Sequence, residues 1–261
     1  MFLARFLTQS SLEITHVSRV YRQVFRCSGP FSGVPVAQTL NKVEWVKPTH
    51  QARSQETLER ILDAAEEVIA EKGFDNATVS EIVRRAKSSV GAMYARFNDK
   101  DSLLVCLHER FCEQAMATTE AALDPARWQG ASIAEIFSAA MPFLVHVHQF
   151  KRGLIRAFIV RGSNDREFCE RAGELSRAIS EKLINLLIAR REQIKHPEPE
   201  LAIDFGLRMI FDTLDQATLF ADVQRTRVKY TPEQVAEELA RTFVSYLGVE
   251  PLPAWEMSDD S

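Results

Sequence analysis

The run VSEIVRRAKSSVGAMYARF, residues 79–97, decides how the chain reads. Its spacing predicts two short helices joined by a tight turn at Lys87-Ser88. Thr78 precedes the first of them, and Glu81 stands three residues on. That T-x-x-E pattern can satisfy two otherwise orphaned backbone N–H groups. Ile82, Val83 and Ala86 point inward. Ser88 or Ser89 can cap the second helix, Val90 to Phe97. A helix this short does not persist alone in water, so Met93 and Phe97 are expected as buried anchors. Gly91 and Ala92 leave its leading face nearly bare, and Tyr94 and Arg96 are expected to project from it.

Upstream, Leu58, Ile61, Leu62, Ala65, Val68 and Ile69 form one apolar helical stripe. Ser54 is the expected N-cap, Gly73 ends the helix in the left-handed conformation, and Phe74 can pack back onto it. Downstream, a fourth helix begins at Asn98 or Asp99 and places Lys100 in its first turn. A cation is disfavoured there, and a docked phosphate would remove the conflict; a solvated surface lysine is the plainer alternative. Two short helices and a turn held by flanking helices make a helix-turn-helix, whose second helix can enter the major groove of DNA. Arg84, Arg85, Lys87, Arg96 and Lys100 give this region a basic patch, while the first helix is acidic.

These residues carry a resemblance. Ile61-Leu-Asp-Ala-Ala65, Glu71-Lys-Gly-Phe74, Thr78-Val-Ser-Glu-Ile82, Gly91-Ala-Met-Tyr-Ala-Arg-Phe97, then Lys100 and Leu103-Leu104 resemble the DNA-binding head of the tetracycline-repressor (TetR) family of bacterial regulators. The resemblance implies that Thr78 and Ser80 meet phosphate or base. It implies that Ser89, Val90, Gly91 and Ala92 form the leading edge of a recognition helix, and Ser88 just before them is a further candidate DNA contact. It also implies that Tyr94 and Lys100 meet phosphates; Arg96, expected to project from the same helix, is a further candidate DNA contact. Family members usually carry Gly-Val where this chain has Lys87-Ser88. Lysine is not a natural left-handed residue, so a different or mildly strained turn is expected. Val90 and Ala92 suggest apolar contact with thymine methyls rather than bidentate readout.

Composition sets the outer bounds. The chain has 261 residues, 46% of them hydrophobic and 26% charged, with a formal net charge of −4, which fits an ordinary globular protein and excludes a histone-like binder. Cys27, Cys106, Cys112 and Cys169 lack a C-x-x-C or disulfide-framework spacing, so a reducing, cytosolic setting is expected. No apolar run is long enough to span a bilayer.

Residues 1–50 are arginine-bearing, serine-rich and nearly free of acids. They suit a transit peptide or a basic arm for the minor groove, and read best as a poorly ordered extension; His50 and Arg53 are the part expected nearest DNA. Residues 51–100 are then the helix-turn-helix domain, 101–250 a helical ligand-binding and dimerisation body, and 251–261 an acidic tail. In the body, helices are expected from Asp99 to Ala122, from Ser132 through Pro142, from Arg152 to Arg161, from Asn164 to Lys195, from Glu198 to Arg225 and from Thr231 to Gly248. The fold class is all-α: a three-helix head and a helical bundle, about nine helices in all. Pro142 should kink its helix and leave room for a pocket. Phe137, Met141, Phe143, Phe158, Arg161, Phe168, Phe205 and Met209 are candidates to line it. The last two helices look apolar on more than one face, which invites a homodimer through a four-helix bundle, as the resemblance also implies.

Other constellations carry little. His108 and Cys112 share a helix face at metal-ligand spacing but lack a third ligand. Asp212 and Asp215 fit acid/base work, a cationic ligand, or pairing with Arg208 or with an arginine across a dimer. Nucleotide loops and nucleophile elbows are missing, and neither cofactor nor metal is implied. The expectation is a homodimeric, effector-released DNA-binding repressor, acting in the cytoplasm. The alternative is an all-helical binding protein or enzyme whose head is only structural.

Overall fold

A computed structural model describes residues 52–224 and 226–253, so the expectations for residues 1–50, His50 and Cys27 included, for the Arg53 side chain and for the end of the acidic tail lie outside the described residues. Among those residues there are nine α-helices and no strand. They are α1 (Ala52–Lys72), α2 (Val79–Arg85), α3 (Val90–Tyr94), α4 (Lys100–Ala122), α5 (Ile133–Phe150), α6 (Arg152–Gly162), α7 (Arg166–Ile188), α8 (Pro199–Leu219) and α9 (Pro232–Tyr246). Short 3-10 turns follow α4 at Pro125–Trp128 and α7 at Arg191–Gln193.

Local chemistry sets most of the starts. Asp99 caps α4 by accepting from the Ser102 N–H at 2.7 Å. Ser132 with Glu135, and Thr231 with Gln234, form complete capping boxes on α5 and α9. Two expectations fail at this level. Helix α1 already runs through Ser54, whose hydroxyl accepts from Arg96 instead of capping the helix. Thr78 caps α2 through the Glu81 N–H, but the Glu81 carboxylate turns to Lys72 Nζ at 2.7 Å, so the reciprocal half of that box is unmade.

Two predicted helices overshoot. The segment expected to continue to Lys195 ends at Ile188. There the Arg190 guanidinium donates to the carbonyls of Leu186, Ala131 and Trp128, and the Gln193 side chain accepts from the Ile133 N–H. Helix α8 stops at Leu219, before Phe220 and Val223, which lie exposed in a loop. Pro142 is inside α5 as expected; its ring is exposed and the helix continues on both sides.

The apolar stripe of α1 is buried in full, together with Ile82 and Val83 of α2, Met93, Phe97, and Leu103, Leu104 and Leu107 of α4. A second core joins α5, α7, α8 and α9, centred on Phe137 stacked on Phe243 at 4.0 Å. Helix α6 approaches α1 so closely that a Cβ on Gly153 would lie 2.7 Å from the Ile69 carbonyl oxygen. No helix among the described residues is long and apolar enough to cross a membrane.

Candidate functional site

The site is built around α3. Met93 and Phe97 are fully buried, each anchoring the short helix by about 1.5–3 kcal/mol. Their burial fixes which side faces outward. Val90 is 45% exposed and Tyr94 46%. Gly91 is exposed, and a Cβ added there would meet only Ser89 Oγ, at 3.9 Å. The leading face is therefore bare backbone bordered by Val90, with Ala92 half-buried beside it. Ser89, not Ser88, is the cap: its hydroxyl accepts from the Ala92 N–H at 3.0 Å. Thr78 and Ser80 are exposed at the start of α2, and Ser88 is half-buried.

The turn takes the left-handed form despite lysine. Ser88 N–H donates to the Val83 carbonyl at 2.8 Å and Lys87 N–H to the Arg84 carbonyl at 3.2 Å. That pair of bonds is the Schellman closure, and it puts Lys87 where glycine normally stands. Lys87 has φ 49°, the only positive φ of a non-glycine among the described residues. Such a conformation costs an L-residue about 1–2 kcal/mol.

Two cations expected in the interface are otherwise engaged. Arg96 points inward, not outward: it is 7% exposed and donates to Ser54 Oγ at 2.7 Å, to the Ser54 carbonyl at 3.1 Å and to the Ala92 carbonyl at 2.7 Å. Burial holds its pKa below the ordinary arginine value. It is a strut between α1 and α3. Lys100 Nζ donates to the carbonyls of Phe74, Asp75 and Ala77 at 2.8, 3.2 and 3.3 Å and lies over the Phe74 ring. The conflict of a cation at a helix start is thus resolved by backbone oxygens of the α1–α2 loop. Arg85 is bound by Glu71 at 2.7 Å and faces Glu67. Arg84 and Lys87 remain exposed, with no ion pair or hydrogen bond from either side chain among the described residues.

The residues predicted to line one pocket are not brought together. Phe137 and Met141 lie in the α5–α7–α8–α9 core. Phe158 and Phe168 pack 4.9 and 4.6 Å from the buried His108 ring, with Phe111 alongside. Arg161 is drawn to Asp101 and Asp165, each at 2.9 Å. Phe205 is 47% exposed on α8, Met209 is half-buried, and Phe143 is exposed. A cleft of about 360 Å³ opens instead beside the ends of α4 and α7, lined by Glu120, Leu123, Asp124, Pro125, Lys182, Asn185 and Leu186. Sequence reasoning did not single it out, because its lining mixes charged and apolar residues from separate helices and lacks a motif.

His108 and Cys112 approach to 3.6 Å, and the described residues hold no group of three or more metal-ligating side chains. Burial pushes the Cys106 and Cys112 thiols up to about 12, so both stay protonated. Asp212 pairs with Arg208 at 3.5 Å within α8, and Asp215 faces His148 at 3.7 Å. The outer face of α9 is polar, against expectation: Glu233, Glu237, Glu238, Thr242 and Ser245 are exposed. Helix α8 does expose Leu201 and Phe205.

Comparison with known proteins bears on the same segment. Residues 61–106 match the family model described as bacterial regulatory proteins, tetR family. An uncharacterized HTH-type transcriptional regulator of Bacillus subtilis, YvdT, is 45% identical over 51 residues, 20% of this chain and 26% of that protein. The A-factor receptor protein of Streptomyces griseus is 43% identical over 53 residues, 20% of this chain and 19% of that protein. The chain thus spans about a quarter or less of the length of these curated relatives. The fatty acid metabolism regulator protein of Bacillus subtilis is 27% identical over 159 residues, 60% of this chain and 79% of that protein. Among solved structures, a TetR-family regulator from Mesorhizobium loti superposes with a TM-score of 0.60 at 19% identity, covering 75% of this chain and 98% of that one. FadR from Bacillus subtilis, solved with stearoyl-CoA, gives 0.56 at 20% identity, covering 72% and 98%. The structural likenesses show an all-helical fold shared well beyond the head, while the match to the tetR family model of bacterial regulatory proteins is confined to residues 61–106.

Proposed function

We propose that the chain is a sequence-specific DNA-binding transcriptional regulator, a repressor released from a palindromic operator by a small, largely apolar effector. The observation that carries this reading is the outward face of α3, bare at Gly91 and flanked by exposed Val90 and Tyr94, on a helix whose opposite side is locked by Met93 and Phe97. With open space at Gly91, the backbone there can approach base edges closely. Thr78, Ser80, Ser88, Ser89, Val90, Gly91, Ala92 and Tyr94 form the proposed contact surface. Arg96 and Lys100 act behind it as supports.

The working unit is a homodimer. Exposed Leu201 (57%) and Phe205 on α8 favour pairing through that helix and the adjacent edge of α9. Two α3 helices would then enter successive major grooves about 34–36 Å apart. The relative solved with stearoyl-CoA is a precedent for an apolar effector in this fold. Phe158, Phe168 and His108 between α4, α6 and α7 are where such a ligand would wedge, and cytoplasmic action on the nucleoid follows from the role. Effector and DNA oppose each other by linkage.

A mobility shift with the purified protein and the DNA upstream of its own gene tests the proposal. Retardation that competes with the same sequence, resists unrelated DNA and weakens steeply with salt is the expected result. No sequence preference at any salt concentration would leave the alternative, a helical binding protein or enzyme with a structural head.

A further inference from the structure

We propose that Lys87, in the turn between α2 and α3, is a DNA-phosphate contact of this chain, and that the turn keeps a strained lysine for that reason. The inference rests on the regulatory reading above and adds a residue to it. Little positive charge remains available around α3. The sequence of α3 contains no charged residue. Arg96, the next cation along the chain, is turned inward onto Ser54 and Ala92. Lys100 is committed to three carbonyl oxygens, and Arg85 to Glu71. A helix laid in the major groove lies between two phosphate walls, and binding without cations beside it would forgo the main source of affinity. Lys87 and Arg84 are the exposed cations nearest the start of α3, and neither side chain has an ion-pair partner among the described residues.

The backbone makes Lys87 the more telling of the two. Its φ of 49° and the paired bonds Ser88 N–H to Val83 and Lys87 N–H to Arg84 define a position that glycine fills without strain. Elsewhere in the chain the same need is met by glycine, at Gly73 after α1 and Gly248 after α9. A lysine here strains the fold, and its side chain makes no hydrogen bond or ion pair among the described residues in return. Strain of this kind persists at places where a side chain does something outside the fold. The turn immediately precedes the Ser89 cap of α3, so a docked α3 brings Lys87 to a groove wall rather than to base edges. The contact is therefore to phosphate and is blind to sequence.

The test uses the full chain and its variants Lys87→Gly and Lys87→Arg, titrated by fluorescence anisotropy onto a duplex from the upstream region and onto an unrelated duplex, across a KCl series. Thermal unfolding without DNA is run beside it. Lys87→Gly is expected to move the two readouts in opposite directions. Its Tm rises by about 2–4 °C as strain is relieved. Its affinity falls by a similar factor on both duplexes, and the slope of log K against log salt becomes shallower by about 0.9 per subunit, or roughly 2 per dimer. Lys87→Arg keeps the wild-type slope and the wild-type Tm. Unchanged affinity and slope in Lys87→Gly, with the Tm raised, would overturn the contact while leaving the regulatory reading intact. Failure of the wild-type chain to prefer its own upstream sequence would overturn both.

Discussion

Arg110 of α4 and Glu66 of α1 meet at 2.7 Å with the arginine almost wholly removed from water. The same guanidinium reaches Asp63 at 2.7 Å and Glu59 at 3.4 Å, and Lys151, between α5 and α6, closes on the other oxygen of Glu66. Burial pushes the Glu66 carboxyl up, but the hydrogen bond from Lys151 and the charges of Arg110 and Lys151 outweigh it, so the group stays below its ordinary value. One face of α1 is thereby tied to α4 and to the start of α6. Arg110→Met removes the central cation, leaving Glu66 with Lys151 and taking from Asp63 and Glu59 the cation that they share. The expected loss is about 3 kcal/mol, read from urea unfolding. A loss within error would mean that the cluster is held no better than a surface ion pair.

Arg96 is expected to behave as a fold residue. Replacing it with Met strands the Ser54 hydroxyl and the Ala92 carbonyl, and should destabilise the chain by about 2 kcal/mol in the absence of DNA. Lys in its place cannot span both partners and should recover little. Normal urea unfolding of Arg96→Met combined with weakened DNA binding would restore an outward role in the DNA interface.

The contrast between Arg96 and its neighbours shows what one sequence discloses. Caps were legible at Ser132 and Thr231, and at Ser89 as one of two alternatives, because each is decided within four residues. The α1 stripe and the anchors Met93 and Phe97 were legible through helical periodicity. The direction of a long side chain was not. Arg96 turns inward because Ser54 lies beside it in space, 42 positions away in the chain. The end of α7 was hidden for the same reason: Arg190 and Gln193 meet partners near residue 131 that no local window contains. The aromatic residues assigned to one cavity are apolar enough to line it or to fill a core, and periodicity does not separate the two.

Helix α6 sits against α1 at Gly153, where an added methyl would lie 2.7 Å from the Ile69 oxygen and 3.0 Å from Ala70 Cα. Both obstacles are backbone, so the helices must part. Gly153→Ala is expected to cost about 1–3 kcal/mol, as overpacking does, and to lower Tm. Gly91→Ala is the matched control: the space there is open, so its stability should hold or rise slightly while any DNA binding suffers. Equal thermal stability of Gly153→Ala and wild type would refute the close approach.

His108 supplies the pH dependence. It is 4% exposed between Phe158 and Phe168. Burial, with the Arg171 charge behind it, lowers its pKa from 6.5 to about 4. The unfolded chain therefore takes up a proton that the folded chain refuses. Stability tied to this residue is intact above about 6.5, declines as pH falls below that value, and is fully lost near 4. The difference amounts to about 3 kcal/mol. His108→Leu keeps the volume and removes the titration, so its Tm should fall less than that of the wild type across this window. Parallel curves for the two proteins would show that His108 is hydrated and protonates freely in the folded state. A ligand wedged beside the ring with a hydrogen-bond donor or acceptor would engage the neutral imidazole, and its affinity should then hold through that window and fall only as pH approaches about 4, where the folded chain takes up the proton.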